Sequence, residues 1–377
     1  MSRWPTVALG EVLRHRKDFI LIDDAERYKR CRVQLHAKGV ILRDIVLGMD
    51  IKTKRQQVCR AGEFLVAEID AKVGGFGMVP VSLDGAVVSS HYFLFEVDET
   101  NLDRRFLDYF CRTENFREQV EAQGSTNYAA IRPSDVMGYQ IPLPSLTEQQ
   151  TIVARLDTLA DKARQVSEHL DAIEADAERL LAVNFRDAIA SAPYRPMSEA
   201  APLMRREQEI DLEGLYPELG IRSFGKGTFH KPPLSGSEVG TKRLFRIEPG
   251  DLLFSNVFAW EGAIAVAKPE ETGRFGSHRF ITCVADVRIV MAEFLLYYFL
   301  TPEGLEKIGT ASPGGAGRNR TLGLEKLMAI EAPLPPIATQ EAFNALQRKI
   351  AELKAKHIAI RQANDALIPA TLERVFN

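Results

Sequence analysis

The chain has 377 residues, 45% of them hydrophobic and 26% charged, with a formal net charge of −3. That length suits two or three domains, and the near-neutral balance excludes a small, uniformly basic nucleic-acid binder. No apolar run reaches the roughly 18 residues of a membrane span. Cys31, Cys59, Cys111 and Cys283 are scattered without a CxxC pair, which points away from structural zinc and a disulfide framework and towards a reducing cytoplasm.

Residues 1–140 read as a first globular region. Val7 to Leu13 is an apolar entry segment, and Arg14-His15-Arg16-Lys17 reads as a solvated basic face. Strand-like runs follow at Val40-Ile41-Leu42, Phe64-Leu65-Val66, Ala86-Val87-Val88 and Tyr92-Phe93-Leu94-Phe95, punctuated by Gly and Asp turns. Phe106, Leu107, Tyr109, Phe110 and Phe116 then suggest a short amphipathic helix.

A proline turn, Ile141-Pro142-Leu143-Pro144, opens residues 141–192. Apolar residues at Ile152, Leu156, Leu159, Ala163, Val166, Leu170, Ile173, Ala177 and Leu180 alternate in steps of four and three, which predicts a long helix with a heptad seam. Thr147 is the expected N-cap, with Gln150 at the capping-box position.

The order then recurs. Residues 193–332 form a second globular region, and Pro333-Leu334-Pro335 opens a second helix over 333–377. Its seam is Phe343, Leu346, Ile350, Leu353, His357, Ile360, Asn364 and Leu367, with Thr339 as the expected cap. Tyr28 answers Tyr216, Gly39 answers Gly227, Thr53-Lys54 answers Thr241-Lys242, Gly62-Glu63 answers Gly250-Asp251 and Gly74 answers Gly262, all at a spacing of 188 (250 − 62). Ser90-His91 matches Ser277-His278 at 187, implying a small deletion and a compensating insertion. A seam needs a partner, and the economical one for each helix is the other.

Before each proline turn lies a Gly/Ser-rich loop carrying Asn and Arg: residues 124–132 and 312–321. Exposed amides there suit phosphates, and Arg and Asn suit guanine and adenine edges. Candidate DNA contacts are therefore Lys52, Lys54, Lys72, Asn127, Tyr128 and Arg132 in the first copy. In the second they are Lys226, Lys231, Lys242, Arg243, Arg318, Asn319 and Arg320. His91 and His278 read as structural, and Trp260 as core or interface.

No phosphate-binding P-loop, glycine-rich cofactor loop, G-x-S-x-G or HExxH stands in the chain. No cofactor and no metal site is expected. Glu68-x-Asp70-x-Lys72 mimics the acidic-x-Lys triplet of metal-dependent nucleases. That leaves two alternatives to DNA recognition: a nuclease using Asp70 and Lys72, or a coiled-coil scaffold that never touches DNA.

The duplicated order of a β-rich region, a proline turn and a long helix resembles the specificity subunit of type I restriction-modification systems. Ile141-Pro142-Leu143-Pro144 with Glu148-Gln149-Gln150, and Pro333-Leu334-Pro335-Pro336 with Gln340-Glu341, carry the resemblance. In the second copy the expected Glu-Gln order is absent, which puts the start of that helix in question. The resemblance implies an α+β chain of two target recognition domains joined to an antiparallel intramolecular coiled coil with pseudo-two-fold repeat. It also implies no catalysis by this chain, double-stranded DNA as ligand, and two methyltransferase subunits and restriction motor-nuclease subunits as partners.

Overall fold

The computed structural model describes residues 4–121, 130–314 and 320–376. Two compact units emerge. Unit 1 takes Met1–Asp171 with His357–Asn377, and unit 2 takes Ala172–Lys356. Each unit therefore holds one globular region and a stretch of both long helices.

In unit 1 a four-stranded sheet is ordered Leu13–Arg16, Tyr92–Val97, Phe64–Ala67, Phe76–Met78. A five-stranded sheet is ordered Phe19–Leu21, Arg55–Val58, Val87–Val88, Arg27–Val33, Val40–Leu47, with a parallel pairing at Arg30 and Val87. Every strand-like run of the sequence lies in or overlaps one of these strands. The basic run is solvated only in part: Arg14 and Lys17 are exposed. Leu13–Arg16 is a strand, His15 packs its ring 5.3 Å from that of Phe95, and Arg16 is buried against Glu63. Strand alternation, which a charge count ignores, turns one basic side chain inward. The amphipathic helix forms over Arg104–Phe110, where Asp103 caps it by accepting from the amides of Arg105 and Phe106.

Unit 2 repeats this plan, at a spacing of 188 residues through its sheets. Its five-stranded sheet is ordered Glu207–Gln208, Leu244–Arg246, Phe275–Ser277, Leu215–Ile221, Thr228–Ser235, with the parallel pairing at Glu218 and Phe275, 188 residues on from Arg30 and Val87. Tyr92 faces Ala67 in unit 1, and Phe280 faces Ser255 in unit 2, again 188 apart. The amide of Glu68 bonds the carbonyl of His91, and that of Asn256 bonds the carbonyl of Arg279. His91 therefore corresponds to Arg279, and the 187 match to His278 was a coincidence of composition. The spacing changes elsewhere: Ile131 bonds Glu68 as Leu322 bonds Asn256, so three extra residues enter the second copy before Leu322. Arg132 consequently corresponds to Gly323, each the residue that opens a short helix.

The two long helices span Leu146–Ile189 and Ile337–Phe376, about 66 and 60 Å at 1.5 Å per residue. Both start at equivalent residues, which settles the start of the second. Thr147 and Thr339 lie inside the first turn. Ser145 is the residue whose hydroxyl accepts from Glu148, and Pro336 stands ahead of the second helix. The first turns are fixed instead by two glutamines, both 0% exposed. Gln149 accepts from the Asp103 amide and donates to the carbonyls of Asn101 and Pro144. Gln340 accepts from the Met291 amide and donates to Ile289 and Pro335.

Within each unit the helices run antiparallel. In unit 1 Asn364 donates to the Ala163 carbonyl and Ser167 hydroxyl, and Arg361 pairs with Asp171. In unit 2 Lys354 pairs with Glu178, and Phe185 packs on Phe343. Half of each expected seam, one position in two, is covered: Leu156, Ala163, Leu170 and Ala177 on the first helix, Phe343, Ile350, His357 and Asn364 on the second. Ile152, Leu159, Leu346 and Leu353 are half-buried, and the remaining positions slide by one residue. Val166, Ile173, Leu180, Ile360 and Leu367 are 37–49% exposed, and their neighbours Ser167, Glu174, Leu181, Arg361 and Ile368 are the more covered. An alternation of three and four fits on either flank of the shared positions. The polar pairing by Asn364 and Arg361 favours the flank that hydropathy passed over.

Each helix ends in the core of the unit where the other begins. Phe376 packs on Phe106 and Phe110 in unit 1, and Phe185 packs on Phe294 and Tyr297 in unit 2. Among the described residues no helix is long and apolar enough to cross a membrane.

Candidate nucleic-acid interface

In each unit a hairpin tip, a short 3-10 turn and the end of the glycine-rich loop converge. In unit 1 the hairpin joins Arg27–Val33 to Val40–Leu47, and the turn is Ala71–Val73. The amides of His36 and Ala37 bond the carbonyls of Val73 and Gly74 at 2.7 and 2.9 Å. In unit 2 the amides of Phe224 and Gly225 bond the carbonyls of Glu261 and Gly262 at 2.8 and 2.9 Å. The approach requires glycine in the turn: a Cβ on Gly74 would stand 2.6 Å from the Ala37 nitrogen, and Gly74 and Gly262 both have φ +77. His36, Ala37 and Phe224 carry positive φ without being glycine, a strain typical of functional positions. The loop ends are held on the same segments, Ile131 by Glu68 and Leu322 by Asn256.

The side chains on this shared frame differ. Unit 1 presents His36 and Lys38, the half-buried Lys72, exposed Arg132 and a Glu68–His91 pair at 2.6 Å. Unit 2 presents Phe224, Lys226 and Arg279, with the Arg320 guanidinium 5.1 Å from the Trp260 ring centroid. Trp260 is half-buried and donates to the Val257 carbonyl.

Of the sequence-expected contacts, Lys72, Arg132, Lys226 and Arg320 belong to these convergences. Asn127, Tyr128, Arg318 and Asn319 lie outside the described residues. Lys52, Lys54, Lys242 and Arg243 sit at the opposite end of the hairpins, beyond Leu47 and Ser235. There Lys54 is neutralised by Asp24 and donates to the Gly48 carbonyl, and Arg243 is paired with Glu207. Lys231 is half-buried on Thr228–Ser235. The repeated Thr-Lys pairs mark a shared turn at that end of the two hairpins. The tips were missed because a left-handed residue leaves no reliable mark in sequence. Gly39 and Gly227 in the tips, and Gly74 and Gly262 in the turns, all aligned at 188, pointed there.

The nuclease triplet is divided in use. Glu68 is engaged by His91, and exposed Asp70 leads into the 3-10 turn that carries Lys72. Among the described residues no three His, Cys, Asp or Glu side chains are grouped to hold a metal ion.

Residues 1–175 match the family described as the type I restriction modification DNA specificity domain. The matched segment is just under half of the chain. It is 22% identical over 303 residues to the type I restriction enzyme StySPI specificity subunit of Salmonella potsdam, covering 71% of this chain and 62% of that one. The chain thus spans about three fifths of that relative's length. The HsdS subunit from Thermoanaerobacter tengcongensis superposes with a TM-score of 0.63 at 21% identity, over 99% of this chain and 96% of that one. A chain from a structure on complex assembly and conformational transition of the type I restriction-modification system gives 0.70 at 22%, over 99% and 97%. At such identities the likeness is one of fold, and it covers nearly the whole chain.

Proposed function

We propose that the chain is the non-catalytic, sequence-specific DNA-recognition subunit of a cytoplasmic type I restriction-modification complex. Each unit's globular region reads one half of a bipartite target in double-stranded DNA. The long helices set the spacer and dock two methyltransferase subunits, and motor-nuclease subunits join for restriction. One observation carries this reading: both units build the same clamped tip-and-turn frame, at a constant spacing of 188 residues, and furnish it with different side chains. A frame kept and a surface changed is what two readers of different half-sites require. Each helix is about 60 Å long or more, which exceeds the roughly 34–36 Å of one DNA turn. The near-neutral charge fits a subunit whose phosphate contacts are shared with its partners.

The test is methylation mapping of the genome with this chain present and deleted. One bipartite motif should lose methylation on deletion. Exchange of residues 193–332 for the corresponding region of another family member should change one half of the motif and leave the other intact. No lost motif, or a change in both halves, refutes the assignment. A scaffold that never touches DNA predicts the first of those results.

A further inference from the structure

Unit 2 holds a phenyl ring out in water at a cost to its own fold. Phe224 is 74% exposed at the hairpin tip with φ 62. Neither feature favours folding: an exposed ring gains nothing from burial, and the left-handed region is unfavourable for a residue with a Cβ. Yet the position is fixed. The Phe224 and Gly225 amides are both bonded to the 3-10 turn, and the Ser223 hydroxyl donates to Glu261 at 3.2 Å. A Cβ on Gly225 would stand 2.8 Å from a Leu300 methyl, so the tip is also seated closely on the helix Ala292–Leu300. The ring is displayed by a stiff support.

Its surroundings are cationic. The Lys226 ammonium lies 5.9 Å from the ring centroid. Arg222 stands on the same hairpin, its guanidinium bonded to the Thr228 carbonyl. Arg279 is exposed beside the segment that receives the tip, and Arg320 covers Trp260 on the turn itself. An apolar side chain on a rigid tip with a basic rim matches one occupant, a nucleic-acid duplex. The ring enters a base step while the cations meet the flanking phosphates. Unit 1 places His36 at the equivalent backbone position, a polar ring in place of the phenyl.

We propose that Phe224 is a wedge that inserts between two base pairs of the half-site read by unit 2 and unstacks that step. This rests on the DNA-recognition reading above. In outline, unit 2 would then select its half-site partly by how easily one step opens.

The experiment uses the full chain assembled with its methyltransferase subunits. Duplexes carry the mapped motif with 2-aminopurine substituted step by step through each half-site. With the wild-type complex, fluorescence should rise at one step of one half-site. Phe224→Ala should abolish that rise and weaken binding about 5- to 150-fold, the range for losing an aromatic–base stack. Phe224→Leu should keep part of both signals. Phe224→Gly should bind as weakly as Phe224→Ala while unfolding at no lower temperature than the wild type, because glycine accepts the tip's backbone. A structural role for the ring would lower the unfolding temperature instead. If the wild-type complex selects its motif and Phe224→Ala changes neither affinity nor fluorescence, the wedge alone is overturned. Weaker binding with no bright step in the wild type also overturns it, since the ring then touches DNA without entering. If the wild-type complex shows no preference for its motif, the recognition reading falls and the wedge with it.

Discussion

Replacing Gln340 by alanine tests how each helix is locked to its globular region. The side chain is 0% exposed and makes three hydrogen bonds: from the Met291 amide at 2.9 Å, to the Ile289 carbonyl at 3.0 Å and to the Pro335 carbonyl at 2.8 Å. At about 1 kcal/mol net for each neutral bond, the loss is about 3 kcal/mol. An unpaired buried Met291 amide can add to this, by about 1–3 kcal/mol where water does not enter. Because the chain has two compact units, a single global unfolding curve is a poor readout. Native-state hydrogen exchange is the better assay: protection of the Leu334 and Met197 amides, bonded to Pro193 and Ile330, should drop in unit 2. The amides of Leu143 and Leu9, their counterparts in unit 1, should keep theirs. Gln340→Glu sharpens the test. An ionised carboxylate faces two carbonyls, so its folded-state pKa is raised. Its stability is therefore present below the unfolded value of about 4.3 and is lost as pH rises through the folded one. A cost for Gln340→Ala below about 1 kcal/mol, or equal loss of protection in both units, refutes the reasoning.

Phe376→Ala should destabilise unit 1 by about 3 kcal/mol, at the low end for a buried aromatic because a helix terminus can collapse into the space. Phe185→Ala should do the same in unit 2, and regional exchange rates distinguish the two. Glu63→Ala leaves Arg16, 7% exposed, without its buried partner and should cost about 3–5 kcal/mol, read from hydrogen exchange of the unit 1 amides. A cost within 1 kcal/mol would show that water reaches the guanidinium. Burial, and the 2.5 Å hydrogen bond to Asp157, push the Tyr109 phenol up to about 12 from its ordinary 10.0. The raised folded value favours the protonated phenol, so its contribution is complete below pH 10 and is lost as pH rises towards 12. Tyr109→Phe should flatten the alkaline arm of the stability profile measured between pH 9 and 12; an unchanged slope refutes the coupling.

The duplicated order of β-rich region, proline turn and long helix was legible in the sequence, because hydrophobic period and punctuation are local properties. The strand runs, the helix after Asp103 and the positions Leu156, Ala163, Leu170, Ala177, His357 and Asn364 all came from that signal. The family resemblance rested on the same motifs. Three matters were decided only by tertiary structure. Which flank of the heptad seam is covered depended on Asn364 reaching Ala163 and Ser167 across the helix pair. The pairing of His91 with Arg279 depended on which carbonyl each neighbouring strand offers, whereas residue identity suggested His278. The placing of His36 and Phe224 depended on a tip bonded to a turn some 37 residues further along the chain, a distance at which no local pattern operates. Sequence determines which faces of each element seek burial; only the assembled fold determines which polar groups are left to be satisfied, and by whom.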